Sequence, residues 1–407
     1  MNQNSRLYNA LSQWISQPAD WLHLCHLKSC IWMIIALIHT SSVNLTKWSI
    51  YIPCRGKYAQ SKQRRIQRWL NNPRINVHRL YKPLIKTALA NWQEESIFLG
   101  LDTSLFWDEY CLIRLCVIHR GRALPVIWRV MKHESASVSF ADYQEMLRQA
   151  QARLPESVKV VLLADRGFVQ TKLLNMLITE LGWHYRIRIK SSTWIWRGNW
   201  CQPKNFPLNS GEAICLHNVR IHKGEYYGLV HVIVGRNNVN GELWAIISNE
   251  KTTLQTFSEY GLRFDIEENF LDDQSGGWNI QRSMIRDVCA LSRLWFILAV
   301  TTIYVSAQGV SVVDSGKRRW VDTHWFRGQR IRADRRLATT RGHSPSRYFR
   351  IGWDWVKAAL LNNWKLIHTV TFSCNRDSTR AIASRAQHEQ RLYKLEFKVL
   401  THSYSIS

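Results

Sequence analysis

Three carboxylates are the side chains best placed for chemistry in this sequence. Asp102 follows an apolar run in "LGLDTS", and Asp165 follows another in "LLADRGF". In α/β sheets, functional groups gather at the carboxyl ends of strands. Either aspartate alone could equally cap a turn. Two of them, at equivalent ends of two predicted strands, favour a shared site at one edge of a sheet.

The third carboxylate lies in "YGLRFDIEENFLDDQSGGWN", residues 260–279, whose spacing predicts a helix. Its apolar stripe comprises Leu262, Ile266 and Phe270, which we expect to be buried. The stripe beside it comprises Tyr260, Arg263, Glu267 and Gln274. Glu267 is therefore predicted to point at the strand ends. Glu268 is the next residue around the helix, and the spacing does not decide which way it points. The remaining acids, predicted to face solvent, are Asp265, Asp272 and Asp273.

The residue types of this cluster indicate divalent-metal chemistry on a nucleic acid. Carboxylate oxygens are the ligands that Mg²⁺ and Mn²⁺ prefer, and two ions roughly 4 Å apart can promote phosphoryl transfer. The chain carries 55 basic against 30 acidic residues, a net charge of +25. Such a field attracts polyanions. A nucleic-acid phosphodiester is therefore the predicted substrate.

Composition limits the other classes of protein. A chain of 407 residues predicts two or three structural units. The apolar runs 30–38 and 294–305 are shorter than the roughly 20 residues of a membrane span, so we expect buried helices and no membrane partner. The nine cysteines include no Cys-x-x-Cys pair, which favours reduced thiols in the cytoplasm over structural zinc.

The elements that would position the carboxylates form an α/β pattern. Predicted strands are 96–102, 111–119, 122–130, 158–165 and 183–190, and predicted helices between them are 139–154 and 170–182. This order indicates an antiparallel meander extended by parallel strands, that is, a mixed sheet with flanking helices. Residues 191–250 resemble a β-rich insertion. Helices are expected again at 253–272, 284–308 and 353–364.

Two basic regions flank this core, which we place at 93–310. Residues 1–92 are predicted to be a helical DNA-binding domain, and 311–407 a basic, helical region for DNA contact, dimerisation or both. Basic side chains crowd one predicted helix of the first region at Lys62, Arg64, Arg65 and Arg68. We expect them to bind DNA phosphates. The alternative is a basic surface helix without a ligand.

The carboxylates and their neighbours also resemble a known family. Its signature is Tyr, two residues, Arg, three residues, Glu, six residues, Lys. Tyr260, Arg263 and Glu267 follow that spacing, and Gln274 stands where lysine is expected. With the blocks "GLDTS" and "LADRGF", the stretch 95–305 resembles DDE transposases of the bacterial insertion-sequence-four group.

The resemblance implies an RNase H-like core interrupted by the β-rich insertion. Asp102, Asp165 and Glu267 would hold two Mg²⁺ ions, with Mn²⁺ as a substitute. Water, and then the freed 3′-hydroxyl, would attack phosphodiesters at terminal inverted repeats and join the excised element to target DNA. Tyr260 and Arg263 would contact double-stranded DNA near the cut, whereas Gln274 would lack the phosphate contact of the missing lysine.

The resemblance also implies a homodimer in the DNA-bound synaptic complex, acting on the nucleoid in the bacterial cytoplasm. Two alternatives remain at this point. One is an RNase H-like DNA nuclease that cuts without strand transfer. The other is a catalytically weakened, DNA-binding derivative of a transposase.

Overall fold

The computed structural model describes residues 3–223, 227–238, 241–271, 278–323, 348–374 and 398–399. The N-terminal part is helical, as predicted. Its helices are α1 (Gln3–Ser16), α2 (Leu24–Thr40), α3 (Leu45–Trp48), α4 (Ala59–Leu70) and α5 (Val77–Leu89). The apolar run 30–38 lies in α2, and its side chains are almost all buried, as expected.

A long mixed sheet follows. Its strands are β1 (Ser96–Phe106), β2 (Tyr110–His119), β3 (Arg122–Lys132), β4 (Lys159–Ala164), β5 (His184–Arg188), β6 (Ile195–Trp196), β7 (Trp200–Cys201), β8 (Glu212–Ile221), β9 (Tyr227–Arg236) and β10 (Leu243–Ser248). A short β11 (Lys398–Val399) pairs with β8 in parallel. Each predicted strand is present, and β1 is longer than its apolar run suggested.

The first five strands have the order β3-β2-β1-β4-β5. β1, β2 and β3 form the predicted antiparallel meander, and β4 and β5 run parallel to β1. The strands of residues 191–250 continue the same sheet, because β10 pairs with β5 in antiparallel fashion. Residues 191–250, predicted as a β-rich insertion, thus extend the sheet next to β5, the strand that follows Asp165.

Helices cover this sheet and connect it to the N-terminal part. They are α6 (Phe140–Gln151), α7 (Thr171–Thr179), α8 (Leu254–Gly261), α9 (Phe264–Leu271), α10 (Val288–Asp314) and α11 (Tyr348–Asn362). Buried side chains of α1–α5, the sheet, α10 and α11 belong to one contiguous core. The helical N-terminal part therefore shares its hydrophobic core with the sheet and the last helices.

α10 is the central helix of this core. It is long and apolar enough to cross a membrane, but 78% of its most apolar window is buried inside the fold. It packs against α11 at two glycines. A Cβ at Gly309 would lie 1.9 Å from the Tyr348 carbonyl oxygen, and one at Gly352 would lie 1.7 Å from that of Val305. The two backbones touch, so only glycine fits at this crossing.

Candidate active site

The two predicted aspartates lie side by side on neighbouring parallel strands. The last paired residues of β1 and β4 are Leu101 and Ala164, and Asp102 and Asp165 follow them directly. Asp165 ends its strand, as predicted. The prediction that Asp102 also ends its strand was wrong, because β1 continues to Phe106 through its antiparallel pairing with β2. The parallel pairing alone stops at the aspartates.

α9 lies on the sheet face to which Asp102 points. Gly100 and Asp102 are two residues apart on β1, so they share one face. A Cβ at Gly100 would be 3.5 Å from the Ile266 Cδ1 atom of α9. Ile266 is fully buried there, as its apolar stripe predicted. This packing brings the residues on either side of Ile266 to Asp102.

Arg263 joins the helix to the sheet. Its Nη1 donates to Asp102 Oδ2 at 2.9 Å, and its Nη2 donates to Glu267 Oε1 at 2.5 Å. Its Nε donates to the Tyr260 hydroxyl at 3.2 Å. Arg263 is only 5% exposed. One guanidinium therefore connects three residues that the sequence assigned to the site.

The charges of all three predicted carboxylates meet at this point. Burial raises the pKa of Asp102 to about 6; Arg263 opposes that rise, whereas Glu267 and Asp165 add to it. Burial lowers the pKa of Arg263, but Tyr260 and the three carboxylates together raise it above its usual value. Burial also raises the pKa of Tyr260 to about 12. The result is an acidic cluster around one permanently charged guanidinium.

The helix predicted at 253–272 is interrupted, so its second half presents different residues to the sheet than one continuous helix would. It is two helices, α8 and α9, separated by a turn at Leu262–Arg263. Because the turn rotates α9 relative to a continuous helix, Asp265 is only 8% exposed, and the expectation that it faces solvent was wrong. Glu267 keeps its predicted place near Asp102, with 49% of its side chain exposed.

Tyr260 lies deeper than the expected DNA contact requires. It is fully buried, and its ring packs among Trp244, Phe257 and Phe264. In this arrangement it supports Arg263 and has no surface to offer DNA. Gln274, Asp272 and Asp273 lie outside the described residues, as does the side chain of Glu268.

The basic residues of α4 divide into two groups. Arg65 points inward, where its Nε and Nη2 donate to Ser29 Oγ at 3.2 Å and its Nη1 donates to the Pro53 carbonyl at 2.7 Å. It anchors α4 to α2 and is not available for DNA in this arrangement. Arg64 and Arg68 are exposed, and Lys62 is partly exposed. These three retain the predicted role.

A polar cleft of about 600 Å³ separates α4 from the segment that leads into α10. Its α4 wall carries the amides Gln63, Gln67 and Asn71, which are spaced at one residue per helical turn. Its opposite wall carries Arg282 and Arg286. The Arg286 guanidinium lies 3.9 Å from the centroid of the Trp107 ring, at the end of β1. The cleft is therefore on the side of the sheet toward which β1 runs beyond Asp102.

Sequence reasoning missed the ion-pair network behind the site. Arg186 of β5 donates from Nε to Glu259 Oε2 at 2.7 Å and from Nη2 to Glu250 Oε2 at 2.9 Å. Glu259 directly precedes Tyr260, so this contact fixes α8 against the sheet. The available signal was an arginine at a buried position of the strand "HYRIR". Its partners, 64 and 73 residues away, could not be read from the pattern.

Residues 115–304 match the family model described as "Transposase DDE domain". This match supports a DDE transposase. The matched stretch contains Asp165 and Glu267 and begins on the strand that pairs with Asp102. Among curated proteins nothing matches the chain. A cryo-EM structure of the piggyBac transposase synaptic complex with hairpin DNA is 9% identical, with a TM-score of 0.40, over 73% of this chain and 70% of that one.

Divalent metals prefer carboxylate oxygens as ligands. Asp102, Asp165 and Glu267 supply such oxygens in one acidic cluster. Within the part of the chain that the structure describes, however, no three acidic, histidine or cysteine side chains are close enough to hold one ion together. Arg263 lies between Asp102 and Glu267 instead. The chemistry of these donors fits a metal, but their present arrangement is closed by a guanidinium.

Proposed function

We propose that this protein is a DDE transposase that binds the terminal inverted repeats of an insertion sequence, cleaves the DNA and joins the ends to a target. The observation that carries the proposal is the placement of three carboxylates, Asp102, Asp165 and Glu267, around Arg263 from three separate elements. Two come from adjacent parallel strands and one from the helix packed on them. The match to the transposase family model, which includes Asp165 and Glu267, supports the proposal. The core would be RNase H-like.

In this proposal Asp102, Asp165 and Glu267 hold Mg²⁺ or Mn²⁺. Bound there, the metal would supply an activated attacking oxygen and a stabilised leaving oxygen for phosphoryl transfer. Three side chains shape the site before metal and DNA bind. Asp102, with 17% of its side chain exposed, is largely shielded from water, and the half-exposed Glu267 leaves the site open to a DNA strand. Before metal binds, the ion pair between Arg263 and Asp102 keeps the helix in position over the sheet.

DNA would reach this opening along the basic surface. The exposed Arg64 and Arg68, with Arg282 and Arg286 across the cleft, have no acidic partner among the described residues. Guanidinium groups bind phosphates well, and side-chain amides can bind base edges. The side-chain amides of Gln63 and Gln67 have no hydrogen-bond partner within the described ranges, and both residues line the cleft. We therefore place the end of the element across α4 and the 282–287 segment.

The protein would act as a homodimer that holds two paired DNA ends, at the nucleoid in the bacterial cytoplasm. Arg282 and Arg286, which follow Gln274 in the sequence, are candidates for the phosphate contact that lysine provides at the position of Gln274. On this proposal the glutamine weakens the grip on cleaved ends without removing the metal-binding carboxylates.

The test uses the DNA that flanks the gene in its genome. Labelled duplexes carrying those flanks, and duplexes with scrambled flanks as the control, are incubated with the full-length protein, a supercoiled target and Mg²⁺. The proposal predicts cleavage at the element boundary and joining to the target, with the true flanks only. Cleavage without joining would indicate the nuclease alternative. A shifted band without cleavage would indicate the weakened, DNA-binding derivative.

A further inference from the structure

Arg263 occupies the position that a cation would need in this site. Its two terminal nitrogens bind Asp102 Oδ2 and Glu267 Oε1 at 2.9 and 2.5 Å, and its Nε binds the Tyr260 hydroxyl. The rings of Tyr260 and Phe264 lie beside the guanidinium, with centroids at 5.8 and 5.1 Å. Each of the three guanidinium nitrogens therefore has a partner within the protein, and two of those partners are predicted metal-binding carboxylates.

A divalent ion that bridges Asp102 Oδ2 and Glu267 Oε1 cannot occupy the space between them together with this guanidinium. Mg²⁺ binds carboxylate oxygens at about 2.0 to 2.1 Å, inside the space that the guanidinium nitrogens fill. The two cations therefore compete for Asp102 and Glu267. Arg263 has a second natural partner, because the guanidinium fork fits a phosphate as well as it fits a carboxylate.

The position of Arg263 allows such an exchange. It lies in the turn between α8 and α9, where its backbone makes i→i+3 bonds to Tyr260 and Ile266, so the exchange requires movement of the side chain only. Its partner Glu267 has 49% of its side chain exposed, so one end of the bridge is open to an arriving polyanion. Tyr260, by contrast, is fully buried, and its hydroxyl accepts a hydrogen bond from Arg263 Nε, which holds the inner end of the guanidinium. A small swing of the guanidinium toward solvent would free both carboxylates.

We propose that Arg263 is an internal counter-ion that closes the carboxylate site in the absence of DNA and passes to a DNA phosphate when DNA binds. The inference rests on the proposed function and adds its regulation: DNA binding and metal binding are coupled. A ligand that removes the guanidinium raises the affinity of the carboxylates for metal, and by linkage metal raises the affinity for DNA by the same factor. The device would keep metal out of the site until a DNA end is present.

The first test measures metal binding without DNA. Mn²⁺ is titrated calorimetrically into the full-length protein, the Arg263→Gln variant and the Arg148→Gln variant. Arg148 is a matched control, because its exposed guanidinium also binds two carboxylates, Glu145 and Glu180, away from the site. We expect Arg263→Gln to bind Mn²⁺ about tenfold tighter or more, a typical coupling. Arg148→Gln should bind it like the parent.

Equal or weaker Mn²⁺ binding by a folded Arg263→Gln protein would overturn the inference. Should that variant not fold, the parent protein decides by itself: its affinity for a fluorescent duplex is measured by anisotropy with and without Mn²⁺, at matched ionic strength. We expect Mn²⁺ to tighten binding at least fivefold, and an unchanged affinity would contradict the coupling. Cleavage of element ends by the parent, alongside either contrary result, would reject this inference while leaving the proposed function intact.

Discussion

Replacing Arg186 by methionine should destabilise the protein and misplace α8, the helix that leads into the candidate active site. Arg186 is 7% exposed, and it binds Glu259 at 2.7 Å, Glu250 at 2.9 Å and Ser248 Oγ at 2.9 Å. The Arg186→Met variant leaves the Glu259 carboxylate, 15% exposed, without a cation. Glu250 is less affected because it keeps its ion pair with Lys159.

The expected size follows from these contacts. Removing one partner of a buried ion pair costs about 3 to 5 kcal/mol, and a hydrogen bond to a charged group is worth about 1.5 to 3 kcal/mol. Since Glu259 retains some solvent and Glu250 keeps Lys159, we expect a loss of about 3 kcal/mol in the free energy of unfolding. The Arg186→Met/Glu259→Gln double variant should lose less than the sum of the two single variants, because no unpaired charge remains.

Urea unfolding followed by tryptophan fluorescence measures these free energies. The control is Arg148→Met, which breaks an exposed bridge and should cost less than about 1 kcal/mol. DNA cleavage by Arg186→Met should fall below that of Arg148→Met at temperatures where both are folded. The reasoning is refuted if Arg186→Met unfolds within 1 kcal/mol of the parent, or if the double variant is additive.

Three further predictions concern other parts of the molecule. Gly352→Ala should lower the melting temperature sharply, because its Cβ would lie 1.7 Å from a backbone oxygen, whereas Gly228→Ala, which meets nothing within 4 Å, should not. Arg64→Ala/Arg68→Ala should flatten the salt dependence of DNA binding by about 0.9 per lost phosphate contact in log K against log salt; an unchanged slope would favour an ordinary surface helix. Burial, aided by Arg153, lowers the pKa of His78 to about 4. In the unfolded chain His78 binds a proton at a higher pH than in the folded protein. The free energy of unfolding measured with urea should therefore fall as the pH is lowered from about 6.5 to about 4, by at most about 3 kcal/mol, and His78→Gln should reduce that fall.

Most of the core sheet could be predicted because its strands are coded locally. The continuous apolar run of β4 and the Arg120-Gly121 hairpin between β2 and β3 specify their elements without help from distant residues. The order of these strands then follows from ordinary connection rules. The position of Asp102 within β1 escaped prediction because the antiparallel partner, and not the apolar run, determines where that strand ends.

The contacts of the site could be predicted only in part. Helical spacing brought Arg263 and Glu267 to one stripe, and the structure places both near Asp102. The ion pair between Arg263 and Asp102 joins residues 161 positions apart, so no local sequence pattern could predict it. The burial of Asp265 depends on the turn at Leu262–Arg263, and Gly261, which ends α8 directly before that turn, was the local signal that the helical pattern missed. Likewise Arg65 turned inward because its partners lie on the preceding helix and loop.

The measurement that tests the central claim most directly compares neighbouring acids in one assay. Cleavage and joining of the flank-bearing duplexes are followed for Asp165→Asn, Glu267→Gln and Glu268→Gln, with DNA binding measured in parallel. The account predicts that Asp165→Asn and Glu267→Gln bind the duplex normally yet form no product, while Glu268→Gln cleaves and joins like the parent. Product from Glu267→Gln together with none from Glu268→Gln, or undiminished product from Asp165→Asn, would contradict it.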